Sequence, residues 1–157
     1  MSNVFLIGDL HFGHKNIHKF RTCFKDEEEH QETIIELWNN VVGKRDIVWV
    51  LGDACFKADK LPLFNRMKGQ KNLILGNHDV DAKDFFPYFN KVGGFASYKH
   101  TWLSHAPIHP DELRGRPNIH GHTHNHKIAD KRYLCVSCEQ VGYTPIYFET
   151  CKEFLNA

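Results

Sequence analysis

Twelve histidines stand among 157 residues, and several fall beside carboxylates or amides: Asp9 with His11, Asp53, Asn77-His78-Asp79, His105, and His122 with His124. Imidazole nitrogen and hard oxygen are donors that manganese, iron, zinc and nickel accept. No thiolate belongs to the set, which argues against an iron–sulfur or structural Cys-zinc site. Asp9 and His11 are two apart, as are His122 and His124. In an extended segment such residues project to one side, so each pair is expected to grip one ion. The seven candidate ligands Asp9, His11, Asp53, Asn77, His105, His122 and His124 are too many for one zinc-like ion and suit two. His78 follows a ligand and precedes Asp79. Its imidazole is placed to protonate a leaving-group oxygen while the Asp79 carboxylate orients it.

The elements that must position these residues share one syntax. A short apolar run reaches a small residue and then a ligand: VFLIG before Asp9, IVWVLG before Asp53, NLILG before Asn77, TWLS before His105 and, more loosely, NIHG before His122. The first three runs are apolar on both alternations, the pattern of strands covered on both faces. Ligands gather at the carboxyl ends of such strands, so the polar residues are expected along one edge.

Ile34, Leu37, Trp38, Val41 and Val42 form one helical stripe within about Asp26 to Val42. The acidic run Asp26 to Glu29 opposes the positive end of that helix dipole and reads as a solvated cap. Leu61, Phe64 and Met67, spaced by three, predict a second helix over Lys60 to Met67 that crosses over to the next strand. Phe95 to Tyr98, His100 to Leu103, Tyr133 to Ser137 and Thr144 to Phe148 read as strands of a second sheet, some of them antiparallel.

Composition bounds the partners. The formal charge of +1 comes from 20 basic and 19 acidic residues mixed along the chain, which gives no field for nucleic acid or membranes, so an anionic substrate must be attracted locally. No run of 18 apolar residues exists, and MSNVFLIGDLHFGH lacks the layout of a signal peptide. Five cysteines without a framework spacing fit a reducing compartment, so a cytoplasmic chain with a single domain over 1–157 is expected.

The ordered motifs Asp9-Leu-His11, Gly52-Asp53, Gly76-Asn77-His78-Asp79, Ser104-His105 and Gly121-His122-Thr123-His124 resemble those of calcineurin-like metallophosphoesterases. DLHFGHKNI, GNHD and VGYTPI look more closely like a group of short bacterial and phage phosphoesterases. The resemblance implies a four-layer αββα sandwich of two mixed sheets flanked by helices. It assigns Asp9, His11 and His124 to one divalent ion and Asn77, His105 and His122 to the other, with Asp53 bridging. It implies manganese first, with iron, zinc or nickel as alternatives, and His78 as general acid. Two divalent ions against two aspartates leave positive charge for a phosphate ester, and a shared water made acidic by both would attack in line. The expected substrate is a phosphodiester of nucleotide or short nucleic-acid type. The alternatives are a phosphomonoester and, from another class, a non-catalytic scaffold of the same fold. Protein phosphatases of this superfamily carry Asp-Arg-Gly in the second motif, whereas this chain reads Gly52-Asp53-Ala54-Cys55-Phe56-Lys57, which demotes that activity.

Four further residues are candidates for substrate contact: His14 and Asn16 after the first motif, and Arg114 and Arg116, whose guanidinium groups could take phosphate bidentately. His120 and His126 read as supporting residues. His30, His100 and His109 carry no signal. Cys135 and Cys138 have a CxxC spacing without the setting of a metal or redox site, so core packing is expected.

Overall fold

The computed structural model describes residues 2–157. Strands β1 (Val4–Ile7), β2 (Ile47–Leu51) and β3 (Gln70–Ile74) run parallel, β4 (Lys91–Gly93) joins them in parallel, and β9 (Ile146–Tyr147) pairs antiparallel with β1. The first sheet therefore has the order β4-β3-β2-β1-β9. The second has the order β5-β6-β7-β8, built from Phe95–Tyr98, Thr101–Ser104, Asn118–His120 and Tyr133–Cys135, with only the β5–β6 pair antiparallel.

Alternation along the strands sorts the core into two layers. Phe5, Ile7, Val48 and Val50 pack with Ile34, Trp38, Leu61 and Phe64, whereas Leu6, Trp49, Leu51 and Ile74 pack with Leu103, Ile119 and Val136 of the second sheet. Both faces of the first sheet are thus dry, as the unbroken apolar runs require. The fold is the expected sandwich of two mixed sheets flanked by helices. The 106–117 segment, with one short 3-10 turn, Pro110–Glu112, packs against the second sheet, where the Trp102 indole N–H donates to the Leu113 carbonyl.

Helix α1 spans Glu27–Val41. The Asp26 side chain caps it by accepting from the Glu29 N–H, and Glu27 to Glu29 occupy the first turn, so the acidic run is a cap. Its buried side is turned slightly from the expected stripe: His30, Ile34, Ile35 and Trp38 are buried, and Val41 is exposed. The segment expected as a second helix is a 3-10 helix, Ala58–Arg66, containing Pro62. Side chains three apart eclipse in that geometry, which is why Leu61, Phe64 and Met67 share a face at a strict spacing of three. Two short helices, α2 (Ala82–Phe85) and α3 (Cys138–Val141), complete the connections. The Thr144 to Phe148 run is corrected. Its strand β9 belongs to the first sheet, and from Phe148 the chain turns into helix α4 (Phe148–Asn156), whose Phe148 and Cys151 enter the core between the sheets. Cys135 and Cys138 are buried free thiols, and burial pushes Cys138 up to about 12.

The two sheets are stitched together at their carboxyl ends. The Gly8 N–H donates to the Val136 carbonyl at 2.9 Å, and the Cys138 N–H donates to the Gly8 carbonyl at 3.0 Å. The exit loops of β1, β2, β6, β7 and β8 consequently meet in one place.

Candidate metal centre

The expected donors arrive there by a route the spacing argument did not foresee. Asp9 (φ 60°), His11 (φ 56°), Asp53 (φ 51°), His122 (φ 71°) and His124 (φ 48°) all lie in the left-handed region, which is uncommon for residues other than glycine. Asp9–His11 and His122–His124 are therefore not extended segments. Their side chains converge because tightly kinked loops re-aim them, and such strain persists only where surrounding bonds fix it. Here Asp9 N–H donates to the Gly52 carbonyl and His11 N–H to the Asp53 carbonyl, both at 2.9 Å. Two glycines leave the space. A Cβ on Gly52 would overlap the His105 ring, and one on Gly76 would overlap Asp53.

Asp9 is fully buried. Its Oδ2 accepts from the Ser137 hydroxyl at 2.6 Å and the His122 N–H at 2.9 Å, whereas Oδ1 is buried without a partner. Both ring nitrogens of His11 are likewise buried and unpartnered. His11 Nε2 and His124 Nε2 each lie 3.7 Å from Asp9 Oδ1. Buried donors left without partners are costly unless something absent from the chain satisfies them. Asp9, His11 and His124 form one cluster able to hold a cation, and Asp9, Asp53 and His105 a second.

Asp9 is common to both clusters, and Asp53 of the second also approaches His11 of the first. Asp53 Oδ1 accepts from the His78 N–H at 2.9 Å, and Oδ2 is 3.8 Å from His11 Nε2 and 3.4 Å from His105 Nε2. His105 Nδ1 bonds the Leu51 carbonyl at 2.8 Å, leaving Nε2 toward Asn77 Oδ1 at 3.0 Å and His122 Nδ1 at 3.2 Å. All seven expected ligands are therefore brought together, and the donor set fits divalent cations. Burial acts to raise the pKa of both aspartates but is outweighed, at Asp9 by the nearby His11 imidazole and the Ser137 hydrogen bond and at Asp53 by the nearby His105 imidazole and the His78 N–H, so both stay below the ordinary carboxylate value.

His78 is exposed beside the cluster, its ring 5.3 Å from that of Phe56. Its expected orientation by Asp79 is corrected. The Asp79 carboxylate accepts four backbone N–H groups, from Asp53 and Gly76 through Oδ2 and from Ala54 and Cys55 through Oδ1, at 2.7–2.9 Å. Three of those donors belong to the loop after β2, so the carboxylate is tied into that loop and has no hydrogen bond to the imidazole. Burial pushes its pKa up to about 6 against the pull of those donors. Asp79 thus braces the loop that presents Asp53.

His14 lines a cavity at the edge of the cluster, but Asn16 is exposed and outside that lining. Arg114 and Arg116 lie on the outer side of the second sheet. Arg114 is ion-paired with Glu112 at 3.4 Å, and Arg116 bonds the Ser97 hydroxyl at 2.9 Å with its guanidinium 4.8 Å from the Trp102 ring centre. Ser97 pairs with Trp102, two residues back along β6 from its carboxyl end, so the expected phosphate role of the two arginines is not supported. His120 is buried, with Nδ1 bonded to the Gly121 carbonyl at 2.7 Å, and His126 is exposed.

Three residues that hold the site escaped the sequence reading: Arg21, Ser137 and Glu139. His124 Nδ1 bonds Glu139 Oε2 at 2.9 Å, which fixes the ring and frees Nε2. Burial would raise the Glu139 pKa, but the His124 bond and the Arg21 charge hold it at about 2. Arg21, only 3% exposed, donates to both Glu139 oxygens, to the Asp9 and Leu10 carbonyls and to His30 Nε2. His30, read as uninformative, is a buried acceptor whose pKa burial and the Arg21 charge push down to about 3. Arg21 and Glu139 are 118 positions apart, so no local spacing could have paired them.

Fold and site together define a mixed α/β sandwich with a candidate metal centre at the joined carboxyl ends of its sheets. Comparison with known proteins agrees with that fold. No protein-family model matches the chain. Gene 66 protein of Mycobacterium phage L5 is 33% identical over 172 residues, covering 83% of this chain and 82% of that protein. Uncharacterized protein MJ1445 of Methanocaldococcus jannaschii is 33% identical over 159 residues, covering 93% and 87%. The chain belongs to the family these proteins represent. The crystal structure of the protein of unknown function AQ665 from Aquifex aeolicus matches with a TM-score of 0.78 at 24% identity, over 98% of this chain and 99% of that one. A novel archaeal phosphodiesterase matches with a TM-score of 0.54 at 17% identity, over 87% and 82%. Both structural likenesses concern the fold.

Proposed function

We propose that this protein is a dinuclear-metal-dependent phosphoesterase of the calcineurin-like class that hydrolyses a phosphodiester. The observation that carries the reading is the set of unpartnered buried donors, Asp9 Oδ1 and both His11 nitrogens, facing the free Nε2 of His124 and Oδ2 of Asp53. Asp9, His11 and His124 would hold one ion and Asn77, His105 and His122 the other, with Asp53 serving both. Divalent ions there, manganese first, would supply Lewis acidity, lowering the pKa of a water and neutralising charge on the phosphoryl oxygens.

The protein's own groups do the rest. Asp53 uses one oxygen to fix the His78 backbone and keeps the other toward the centre, so one carboxylate sets both the ligand edge and the imidazole position. His78, exposed and tethered only through its backbone, is the group able to deliver a proton to a departing alkoxide. The fold shared with an archaeal phosphodiesterase supports a diester over a monoester. No helix among the described residues is long and apolar enough to cross a membrane. The test is hydrolysis of bis(p-nitrophenyl) phosphate by protein stripped with a chelator and reloaded with manganese. Turnover that appears on reloading and disappears on stripping is expected. Turnover indifferent to chelation, or none after reloading, would overturn the reading.

A further inference from the structure

A cavity of about 300 Å³ opens directly beside the centre, lined by His11, His14, Ile17, Phe20, Arg21, His124, Asn125 and Glu139. Two of its walls, His11 and His124, are candidate ligands, so the cavity is within reach of a substituent on a phosphate at the centre. The wall chemistry decides what that substituent is. Arg21 is the one cation lining it, and a guanidinium has five N–H donors. All five are engaged, by the two Glu139 oxygens, the Asp9 and Leu10 carbonyls and His30 Nε2. The Glu139 charge is matched by Arg21 at 3.0 Å. No donor of the Arg21–Glu139 pair is left for a second phosphate and its charges cancel internally, so that pair exerts no pull on another anion, and the wall's remaining polar groups outside the candidate ligands are His14, whose Nδ1 is unpartnered, and the Asn125 amide.

Phe20 suggests the shape of the substituent. It is 75% exposed, its ring edge-on to His14 with centroids 5.6 Å apart, and nothing in the core accounts for it. An exposed aromatic ring beside a phosphate-type site is a stacking platform for a planar ring. The carboxylate adds a preference. Of about four acceptor positions on Glu139, two are taken by Arg21 and one by His124, leaving one for a donor such as an exocyclic amine.

We infer that this cavity binds an amino-bearing nucleobase of the diester, stacked on Phe20, so that the substrate is a nucleoside phosphodiester. The inference rests on the phosphodiesterase reading, and the experiment separates the two. Adenosine 5′-(p-nitrophenyl) phosphate and methyl p-nitrophenyl phosphate share one leaving group and differ only in the substituent the cavity would receive. With manganese-loaded protein, the adenosine ester should have the higher kcat/KM, and the uridine ester should fall between the two. Base-on-aromatic stacking is worth enough that Phe20→Ala should lower the adenosine-to-methyl ratio on the order of tenfold, and Phe20→Trp should restore it. Phe20 is exposed, so neither change threatens folding. A ratio that Phe20→Ala leaves unaltered would overturn the inference while leaving the enzyme reading intact. If the wild type hydrolyses neither ester, the enzyme reading falls, and calorimetric titration with adenosine decides the cavity. Binding that weakens in Phe20→Ala supports it, and absence of binding at millimolar adenosine overturns it.

Discussion

On one side of Asp53, Asp9, His11 and His124 are held from behind by Ser137, Glu139 and a buried arginine. On the other, Asn77 and His122 are exposed, and only the His105 ring is anchored by a backbone group, the Leu51 carbonyl. The two halves present similar donors, yet one is built into the seam between the sheets and the other hangs on loops. A braced half keeps its geometry when empty, whereas an exposed half must be drawn together by what it binds. The braced half should therefore bind its ion more tightly and release it more slowly.

The largest effect is expected where the halves meet. Asp53→Asn keeps the amide oxygen that the His78 N–H needs but removes the negative charge both halves share, so activity should drop to background and metal content should fall in both. Elemental analysis with a circular dichroism check of folding reads this. Next is His78→Ala, which should cost about 10²–10⁴-fold in kcat for diesters with alkoxide leaving groups and far less for nitrophenyl esters, with metal retained. Equal losses across leaving groups would remove the proton-donor role. Asp79→Asn should not reproduce that leaving-group pattern. Its carboxylate holds four backbone N–H groups, so the variant should lower thermal stability instead.

Glu139→Gln sharpens the comparison itself. It should weaken one of the two metal affinities about 10- to 100-fold and leave the other unaltered, which a cobalt titration followed by absorption would resolve. An equal loss at both sites would mean that the halves are not separately braced.

The smallest effect concerns acid sensitivity behind the braced half. His30 titrates near 6.5 when unfolded and at about 3 when folded. Below pH 6.5 the unfolded chain takes up a proton that the folded one refuses, so stability present above 6.5 is lost as pH falls toward 3. By pH 5 the cost is about 2 kcal/mol, from ~1.4 kcal/mol per pH unit. In urea denaturation, His30→Gln should flatten that part of the pH profile. A wild-type midpoint that does not change between pH 7 and 5 would contradict it.

Much of the centre was legible because each ligand follows an apolar run whose length and dryness reveal a strand end. Asp53 and His105 needed nothing more. The kinked backbones of Asp9 and His122 were not legible, since positive φ at a residue other than glycine is imposed by tertiary bonds, here to Gly52 and Asp9. Arg114 and Arg116 show the converse. Their residue type suited phosphate, but the sheet face on which their segment packs is settled by Trp102 and Ser97, distant in sequence. The short Thr144 to Phe148 run carried no mark of which sheet it would join, and pairing with β1 decided it.

The central claim is two ions sharing Asp53. Its most direct test is the anomalous-scattering crystal structure of the manganese-loaded protein. The account predicts two peaks on either side of Asp53, one bounded by Asp9, His11 and His124 and the other by Asn77, His105 and His122. A single peak at saturating manganese, or a pair of peaks with Asp53 bound to only one, would contradict it.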